Sequence, residues 1–476
     1  MPSISFSSTL SRPVAYAFGL FATKGIALIM LPVLANHLSV QQIGQLELYT
    51  TSGVFIGMIL GLALHESLYR FAGHETCQHR QRKIAGTIYT LACLVALVSL
   101  CILILTIHGV ARHVTALPAT EMTLLAIGVS TEGLIGLQLA WLRMQDKAKH
   151  FLLVTVCCCL LQVTLVVMSL SWMPSITSIL AASVMTHLAQ VIWLQRLCRL
   201  PLIQPKAAQT LEFILYSIPI ALSGMVAFLM NGAERWVIAT TDTIESLAFY
   251  AIAAKFALAL CILVQPFGMW WMPKRFSVYL REGAKQAARI TQYGLVWIAM
   301  LAAGIAYFAP MFITLALPAS YAPAVQMVLL CLAAALFKEL SELFNLGLLI
   351  AKQTGLLLRF NLMAVMVSAL LIATMVSWGI VGIIAGLIGG QFTKLILVYR
   401  ASQRACFLPY TLRRSTVILL IAFIHLLLAS HVHPWPLQLL MSVLAPLSVF
   451  AVALLLGIVS VQSVLHPTVS SQASRL

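Results

Sequence analysis

MVAFLMNGAERWVIAT, residues 225–240, places an acid and a base side by side in an otherwise apolar stretch. The surrounding run, from about residue 213 to 240, is long enough to cross a membrane, because a bilayer core needs about 20 apolar residues in a helix. A charged side chain at the bilayer centre costs about 2.5–3.5 kcal/mol on insertion scales. Glu234 and Arg235 therefore need a reason to be there, and the stretch predicts a membrane span that carries a functional site.

Apolar stretches of this kind recur along the whole chain. Of the 476 residues, 61% are hydrophobic and only 9% are charged, whereas soluble proteins average about 25% charged residues. A transmembrane barrel would require alternating segments of about ten residues, which the sequence lacks. The pattern predicts an all-α polytopic membrane protein with about fourteen transmembrane helices. The predicted spans are residues 12–37, 44–70, 84–109, 122–144, 150–171, 177–197, 213–240, 247–272, 290–315, 322–350, 355–376, 379–400, 415–431 and 437–463.

The positions of lysine and arginine predict the orientation. With the N-terminus in the cytoplasm, 23 of the 29 Lys and Arg residues fall at inner ends and loops, and only Arg112 falls outside. This asymmetry follows the positive-inside rule and predicts that both termini are cytoplasmic. The net charge of +16 is then a consequence of topology, and it does not indicate a nucleic acid partner.

An internal repeat predicts two halves of similar topology. LSVQQIGQLELYTTS joins spans 1 and 2, and TDTIESLAFYAIAAK joins spans 7 and 8; aligning Gly44 with Ala248 also places Arg70 opposite Lys274. Parallel repeats of this kind are related by a pseudo-two-fold axis along the membrane normal. We therefore predict an N-terminal six-helix lobe (1–198), a cytoplasmic linker (199–212), a C-terminal six-helix lobe (213–402), and two extra helices with a tail (403–476).

Several stretches resemble a known family. They are LPVLANHLSVQQIGQLELYTTS (31–52), LQLAWLRMQDKAKHFLLVTV (137–156), SIPIALSGMVAFLMNGAERWVIA (217–239) and LPASYAPAVQMVLLCLAAALFKELSELFNLGLLIAKQTG (317–355). They are similar to polysaccharide and O-antigen lipid flippases of the multidrug/oligosaccharidyl-lipid/polysaccharide exporter superfamily, over about residues 10–410. Glu234-Arg235 stands where the family often has Asp-Arg, and Ala248 replaces its usual glycine.

The resemblance implies a function as well as a MATE-like fold. It implies alternating access by two lobes around a cationic cavity that takes an oligosaccharide linked to a polyprenyl pyrophosphate of the undecaprenyl type. Transport would run from the cytoplasmic to the periplasmic leaflet of a bacterial inner membrane, for O-antigen, lipopolysaccharide or other surface polysaccharide. The protein would then be no enzyme and need no cofactor; its partners would be that lipid, membrane lipids, H+ or Na+, and a polysaccharide polymerase.

Five cations within spans are the candidate substrate-binding residues: Lys24, Arg235, Lys255, Lys338 and Lys394. Arg and Lys both bind diphosphates. Structural alternatives remain open for some of them. Lys338 and Glu342 are four residues apart and have the spacing to neutralise each other on one helix face, and Lys394 has the alternative of reaching the inner membrane surface. Glu234 and Arg235 point about 100° apart on a helix, so we do not expect them to pair.

Three carboxylates are candidate ion-coupling residues: Glu132, Glu234 and Glu47. Glu132 has no cation nearby in sequence, so it is either a coupling site or a partner of Lys24. Glu47 lies near a span end, where a carboxylate is more often solvated or structural. The ten cysteines lack the spacing of a zinc site, and we predict no metal site.

Three other functions compete with an oligosaccharide flippase. A cation-coupled multidrug exporter would favour an acidic cavity with fewer cations. A lipid-linked peptidoglycan precursor flippase fits fourteen spans equally well. An enzyme acting on the same lipid would need a large outer loop, and the longest predicted one is ARHVTALPATE (111–121).

Overall fold

The computed structural model describes residues 25–26, 28–111 and 118–459. The described chain is helical, with short turns between helices, as the sequence predicts. Each predicted span from the second to the fourteenth coincides with a helix or a broken helix, and the described part of the first is helical from Leu28 to His37, here α1. The all-α polytopic class is confirmed.

Eleven described segments are long and apolar enough to cross a membrane. Three features account for the difference from fourteen. One of the eleven, Thr354–Ala405, contains two helices, and the helix at Ala324–Leu343 carries three charged residues in its last six. The Leu28–His37 helix has too few described residues to qualify.

The chain divides into two compact units at Trp236 and Val237. The first unit contains α2 to α8, which are Val40–Gly61, Leu64–Ser67 with a following π-turn at Leu68–Ala72, Gln78–Ala111, Ala119–Met144, Ala148–Trp172, Ile176–Cys198 and Ala207–Leu229. A buried cluster lies among α3 to α8 and includes Leu68, Ile88, Leu137, Leu142 and Leu194.

The predicted linker and the helix after it pack within this first unit. The Ser67 hydroxyl lies 2.9 Å from the Phe213 carbonyl and 2.7 Å from the Ser217 hydroxyl, and both serines are buried. Residue 203 donates its N–H to Thr90 Oγ1 at 2.9 Å, and Arg82 donates to the Arg199 carbonyl at 2.7 Å. The segment 199–206 is therefore held against α4, and the predicted lobe boundary there stays a prediction.

The second unit contains α10 to α17, with α9 (Glu234–Thr241) spanning the division between the units. These helices are Ile244–Trp271, Arg275–Ala316, Ala324–Leu343, Leu346–Ile350, Thr354–Met375, Gly379–Ala405, Leu412–Ala429 and Trp435–Leu455. The α11 helix is broken at Gly283, whose φ of 86° is accessible to glycine and costly for other residues.

The two C-terminal helices pack against α11. Tyr307 Oη lies 3.2 Å from His425 Nδ1, and His425 Nε2 lies 2.8 Å from Ser448 Oγ, so one histidine joins three helices. A Cβ at Gly304 would lie 3.0 Å from Pro446 Cγ, which shows how closely α17 approaches. The predicted extra helices are thus an integral part of the second unit.

The two turns aligned in the repeat have the same local structure. Ser39 caps α2 by accepting the N–H of Gln42, and Thr243 caps α10 by accepting the N–H of Ser246. The two caps are separated along the chain by the same interval as Gly44 and Ala248. Side-chain oxygens of Ser and Thr satisfy N–H groups that a helix start leaves open, so the repeated sequence encodes a repeated helix start.

Candidate functional site

The helix that carries Glu234 and Arg235 is discontinuous. The sequence predicts one span over 213–240, but α8 ends at Leu229 and α9 begins at Glu234. Residues 230–233 form a turn, in which Asn231 Nδ2 donates to the Ala227 carbonyl at 2.9 Å. A Cβ at Gly232 would lie 2.6 Å from the Phe228 ring, so the turn needs glycine there. The two charges therefore lie at a helix start, where backbone groups lack helical partners.

Arg235 is held by two carboxylates. Its Nε donates to Glu47 Oε1 on α2 at 2.7 Å, and its Nη1 donates to Glu234 Oε1 at 2.7 Å. The same Nη1 lies 3.2 Å from the Asn231 carbonyl, which the break leaves without a helical partner. The expectation that Glu234 and Arg235 do not pair is wrong, because the forked guanidinium on its long stem reaches sideways at this tight turn.

Aromatic packing fixes the position of this group. Trp236 Nε1 donates to Ser52 Oγ at 3.1 Å, and its ring packs edge-on against Phe55 at 5.0 Å between centroids. Phe228, on the other side of the break, contacts both rings. These contacts hold the first turn of α9 against α2. They bring the Arg235 guanidinium within hydrogen-bond distance of the Glu47 carboxylate.

Lys338, Glu342 and Lys394 form a second charged group in the second unit. Lys394 Nζ on α15 donates to Glu342 Oε1 on α12 at 2.9 Å, and Asn345 Nδ2 lies 3.3 Å from Glu342 Oε2. The pairing of Lys338 with Glu342, which the sequence left open, is not formed between these described residues. The alternative that Lys394 reaches the membrane surface is also wrong, since this side chain is 10% exposed. A buried ammonium requires a counterion, and Glu342 supplies it.

Lys338 is left in a different environment from Lys394. It is half-buried, and its Nζ lies 3.9 Å from Cys261 Sγ on α10. Over the described ranges it makes no ion pair within 4 Å. Position 338 lies about 21 Å along the helix from Ala324, at 1.5 Å per residue, and so near the middle of the predicted span 322–350.

Glu132 lies on α5 opposite a glycine stripe on α2. A Cβ at Gly57 would collide with Glu132 Oε2, and one at Gly133 would lie 3.3 Å from the Gly61 Cα. Gly53, Gly57 and Gly61 therefore let α2 and α5 approach closely, as small residues four apart do in membranes. The sequence analysis did not identify this stripe. Its Gly-x-x-x-Gly spacing is the pattern from which it could have been predicted.

Two predicted site residues remain. Lys255 is half-buried on α10, three turns after that helix begins. Lys24 lies outside the described residues, and so does its expected pairing with Glu132. In the described part of the chain, no group of three or more His, Cys, Asp or Glu side chains is arranged to hold a metal ion.

Comparisons with known proteins agree with this architecture. A family model described as "Polysaccharide biosynthesis protein" matches residues 14–277. No match was found among curated proteins.

Several solved structures have a similar fold. A lipid II flippase, MurJ, in an inward closed conformation aligns with a TM-score of 0.74 at 10% identity, over 94% of this chain and 100% of that one. An outward-facing MATE multidrug resistance transporter of the MOP superfamily aligns with a TM-score of 0.53 at 12% identity, over 83% and 96%. An inward-facing multidrug resistance transporter of the same MATE family aligns with a TM-score of 0.55 at 14% identity, over 81% and 98%. The predicted MATE-like fold is confirmed.

Proposed function

Because this chain belongs to the polysaccharide biosynthesis protein family, we propose that it flips an oligosaccharide linked to polyprenyl pyrophosphate across the bacterial inner membrane. The direction is from the cytoplasmic to the periplasmic leaflet, by alternating access, and the product feeds O-antigen or other surface polysaccharide synthesis. Its family and its fold support a membrane flippase or transporter, and the charges within its spans support an anionic substrate.

Lys338 is the observation that carries the proposal. A half-buried ammonium near the middle of a span is costly, and here Glu342 is engaged by Lys394. A pyrophosphate passing this level would place a strong anion beside this ammonium, and charge-assisted hydrogen bonds contribute about 1.5–3 kcal/mol each. Lys338 is therefore our principal substrate-binding residue.

The other cations have different roles in this proposal. Arg235 and Lys255 contact the headgroup at other levels of the path, together with Lys24. For Arg235 to do so, the substrate must displace at least one of the two carboxylates that hold it at 2.7 Å. Lys394 acts as a positioning residue that keeps Glu342 away from Lys338.

Three carboxylates are proposed for coupling to H+ or Na+. Glu132 is exposed at the protein surface although it lies within a span, which supports access of an ion to it. Glu47 and Glu234 would take up a cation when the substrate draws Arg235 away. Membrane lipids and a polysaccharide polymerase complete the proposed partners, and the positive-inside rule supports two cytoplasmic termini.

Two alternatives are favoured by specific comparisons. The similarity to a lipid II flippase favours a lipid-linked peptidoglycan precursor, and the similarity to multidrug resistance transporters favours a cationic drug. An anionic substrate needs Lys338, whereas a cationic drug would be repelled by it. Loss of this charge therefore has opposite effects on the two classes.

The proposal is tested with the full chain in proteoliposomes. Fluorescent polyprenyl-pyrophosphate oligosaccharide, lipid II and a fluorescent cationic drug are offered separately, and Lys338→Ala, Lys338→Arg and the exposed control Lys149→Ala are compared with the wild type. We expect the wild type to flip the oligosaccharide lipid. The flipping rate should fall about 10- to 100-fold in Lys338→Ala, because one charge-assisted hydrogen bond is lost. Lys338→Arg and Lys149→Ala should keep most of the wild-type rate.

Thermal unfolding of each variant separates lost transport from lost folding. Transport of lipid II or the cationic drug alone would replace the proposal by the corresponding alternative. Full oligosaccharide flipping by a well-folded Lys338→Ala protein would remove Lys338 from the mechanism.

A further inference from the structure

The segment that joins α10 to α11 carries a row of exposed apolar side chains with basic side chains beside it. We call residues 272–285 the interfacial segment. Met272, Phe276 and Leu280 follow one another at intervals of four, and are 52%, 40% and 80% exposed. Phe276 and Leu280 are four apart on α11 and lie on one helix face, and Met272 is exposed in the turn that precedes them, so the three form an exposed apolar stripe on the second unit.

Basic side chains flank that stripe. Between positions 274 and 289 the chain has five basic residues and one acidic residue, namely Lys274, Arg275, Arg281, Lys285, Arg289 and Glu282. Lys274 and Arg281 are exposed, and Lys285 is exposed too. Lys274 Nζ lies 4.9 Å from the centroid of the Trp270 ring, which directs this ammonium along the apolar side of the segment.

The opposite face of the segment is fixed to the protein. Val278, Tyr279 and Ala284 pack against a buried cluster that contains Trp271, Leu346 and Leu408. The exposed stripe is therefore held in place. The positive φ of Gly283 interrupts the helix between the exposed turns and the long apolar part of α11, so the segment takes a direction different from the span that follows it.

We infer that the interfacial segment is a docking surface for anionic phospholipid headgroups at the membrane surface. A short helix with apolar residues on one face and Lys and Arg beside them lies in the interface of a bilayer. It begins where one membrane span ends and precedes the next, so it is at the depth where headgroups are found. Each basic residue near an anionic leaflet contributes about fivefold in affinity. This inference does not depend on the substrate proposed above.

The test measures lipid affinity and depth in the purified full-length protein. Short-chain phosphatidylglycerol is titrated into detergent-solubilised protein and the unfolding temperature is recorded, with phosphatidylcholine as the neutral lipid. We expect phosphatidylglycerol to stabilise the wild type more than phosphatidylcholine does. In Arg281→Gln/Lys285→Gln the half-saturating concentration should rise about 10- to 30-fold.

A matched variant controls for charge. Arg80→Gln/Lys83→Gln also removes two exposed basic residues at a helix start, and it should retain most of the response. If both variants lose the response to phosphatidylglycerol equally, or if Arg281→Gln/Lys285→Gln loses none of it, the inference of a specific lipid surface is wrong.

A spin label gives the depth directly. In proteoliposomes containing phosphatidylglycerol, a label at Leu280→Cys should be accessible to oxygen, and one at Glu282→Cys should be accessible to a water-soluble nickel complex. If the label at position 280 is accessible to the nickel complex in proteoliposomes, it lies in water and the inference is contradicted. If that label is protected only in native membranes, the stripe binds a protein partner instead.

Discussion

Glu342 Oε1 accepts a 2.9 Å hydrogen bond from Lys394 on a neighbouring helix, although Lys338 lies one turn away on its own helix. The choice follows from burial. Lys394 is nearly enclosed, at 10% side-chain exposure, and loses most by lacking a counterion. Lys338 is half-buried and makes no ion pair with that carboxylate among the described residues. The ion pair therefore forms with Lys394, and the proposed role of Lys338 in substrate binding rests on this choice.

Replacing Lys394 should damage the fold before it damages substrate binding. Lys394→Ala leaves Glu342 without its ammonium and should lower the free energy of unfolding by about 1–3 kcal/mol, less than for a fully buried pair because Glu342 is 49% exposed. Thermal unfolding in detergent measures this. In Lys394→Met/Glu342→Gln, which removes both charges, much of the loss should be recovered; a double variant as unstable as the sum of its single variants would argue against the pair.

The Arg235 group should tolerate loss of Glu47 better than loss of Glu234. Both carboxylates accept one 2.7 Å bond from Arg235, but the Glu234 side chain is 3% exposed and that of Glu47 is 17% exposed. The less exposed partner loses more when its interaction changes. Glu234→Gln should lower the unfolding temperature more than Glu47→Gln, and the reverse order would contradict this view of the group.

Arg235→Lys should also be destabilising although it conserves the charge. Nε and Nη1 bond different carboxylates, and an ammonium lacks the fork that holds both. We expect a loss of about 1–3 kcal/mol, the cost of one charged hydrogen bond. Unfolding of this variant and of Arg235→Ala, measured together, separates the effect of geometry from that of charge; equal stability of the lysine variant and the wild type would rule out the forked contact.

Two glycines should respond in opposite ways to alanine. A Cβ at Gly86 would lie 2.5 Å from the Pro201 carbonyl oxygen, whereas one at Gly136 meets nothing within 4 Å. Gly86→Ala should cost about 1–3 kcal/mol, because backbone has to move. Gly136→Ala, within α5, should be neutral or stabilising by up to about 1 kcal/mol. Calorimetry or thermal scanning measures the stability of both variants. Similar losses of stability in the two would show that residues 199–206 do not pack on α4 as described.

Cys77 gives a test of orientation and of reactivity in the unmodified chain. It is exposed between two spans, and the backbone N–H groups of Arg80 and His79 lower the pKa of its thiol. The thiolate is the reactive form, so a lower pKa means a larger thiolate fraction at neutral pH. A charged maleimide should label Cys77 before the other cysteines, and only in permeabilised cells.

Thr241→Cys, in a variant that otherwise lacks cysteine, is the matched outer position. It should be labelled in intact cells. Labelling of Cys77 from outside would reverse the proposed topology.

The amino-acid sequence by itself determined the class of fold and the places where spans begin. Long apolar runs have no stable alternative to helices in a bilayer, and the caps at Ser39 and Thr243 depend only on residues three positions away. Such local relations are readable from the chain because the interacting groups are neighbours in it.

Only the tertiary structure decided how the charges are paired. Local spacing left a pair of Lys338 with Glu342 open and separated Glu234 from Arg235. In the structure Glu342 pairs with Lys394 on a neighbouring helix, and Arg235 reaches Glu234 at the break at residues 230–233. An ion pair forms where its charges are least hydrated and its geometry best, and both depend on which helices pack together. That information is spread over residues as distant as Glu47 and Arg235, so no local pattern contains it.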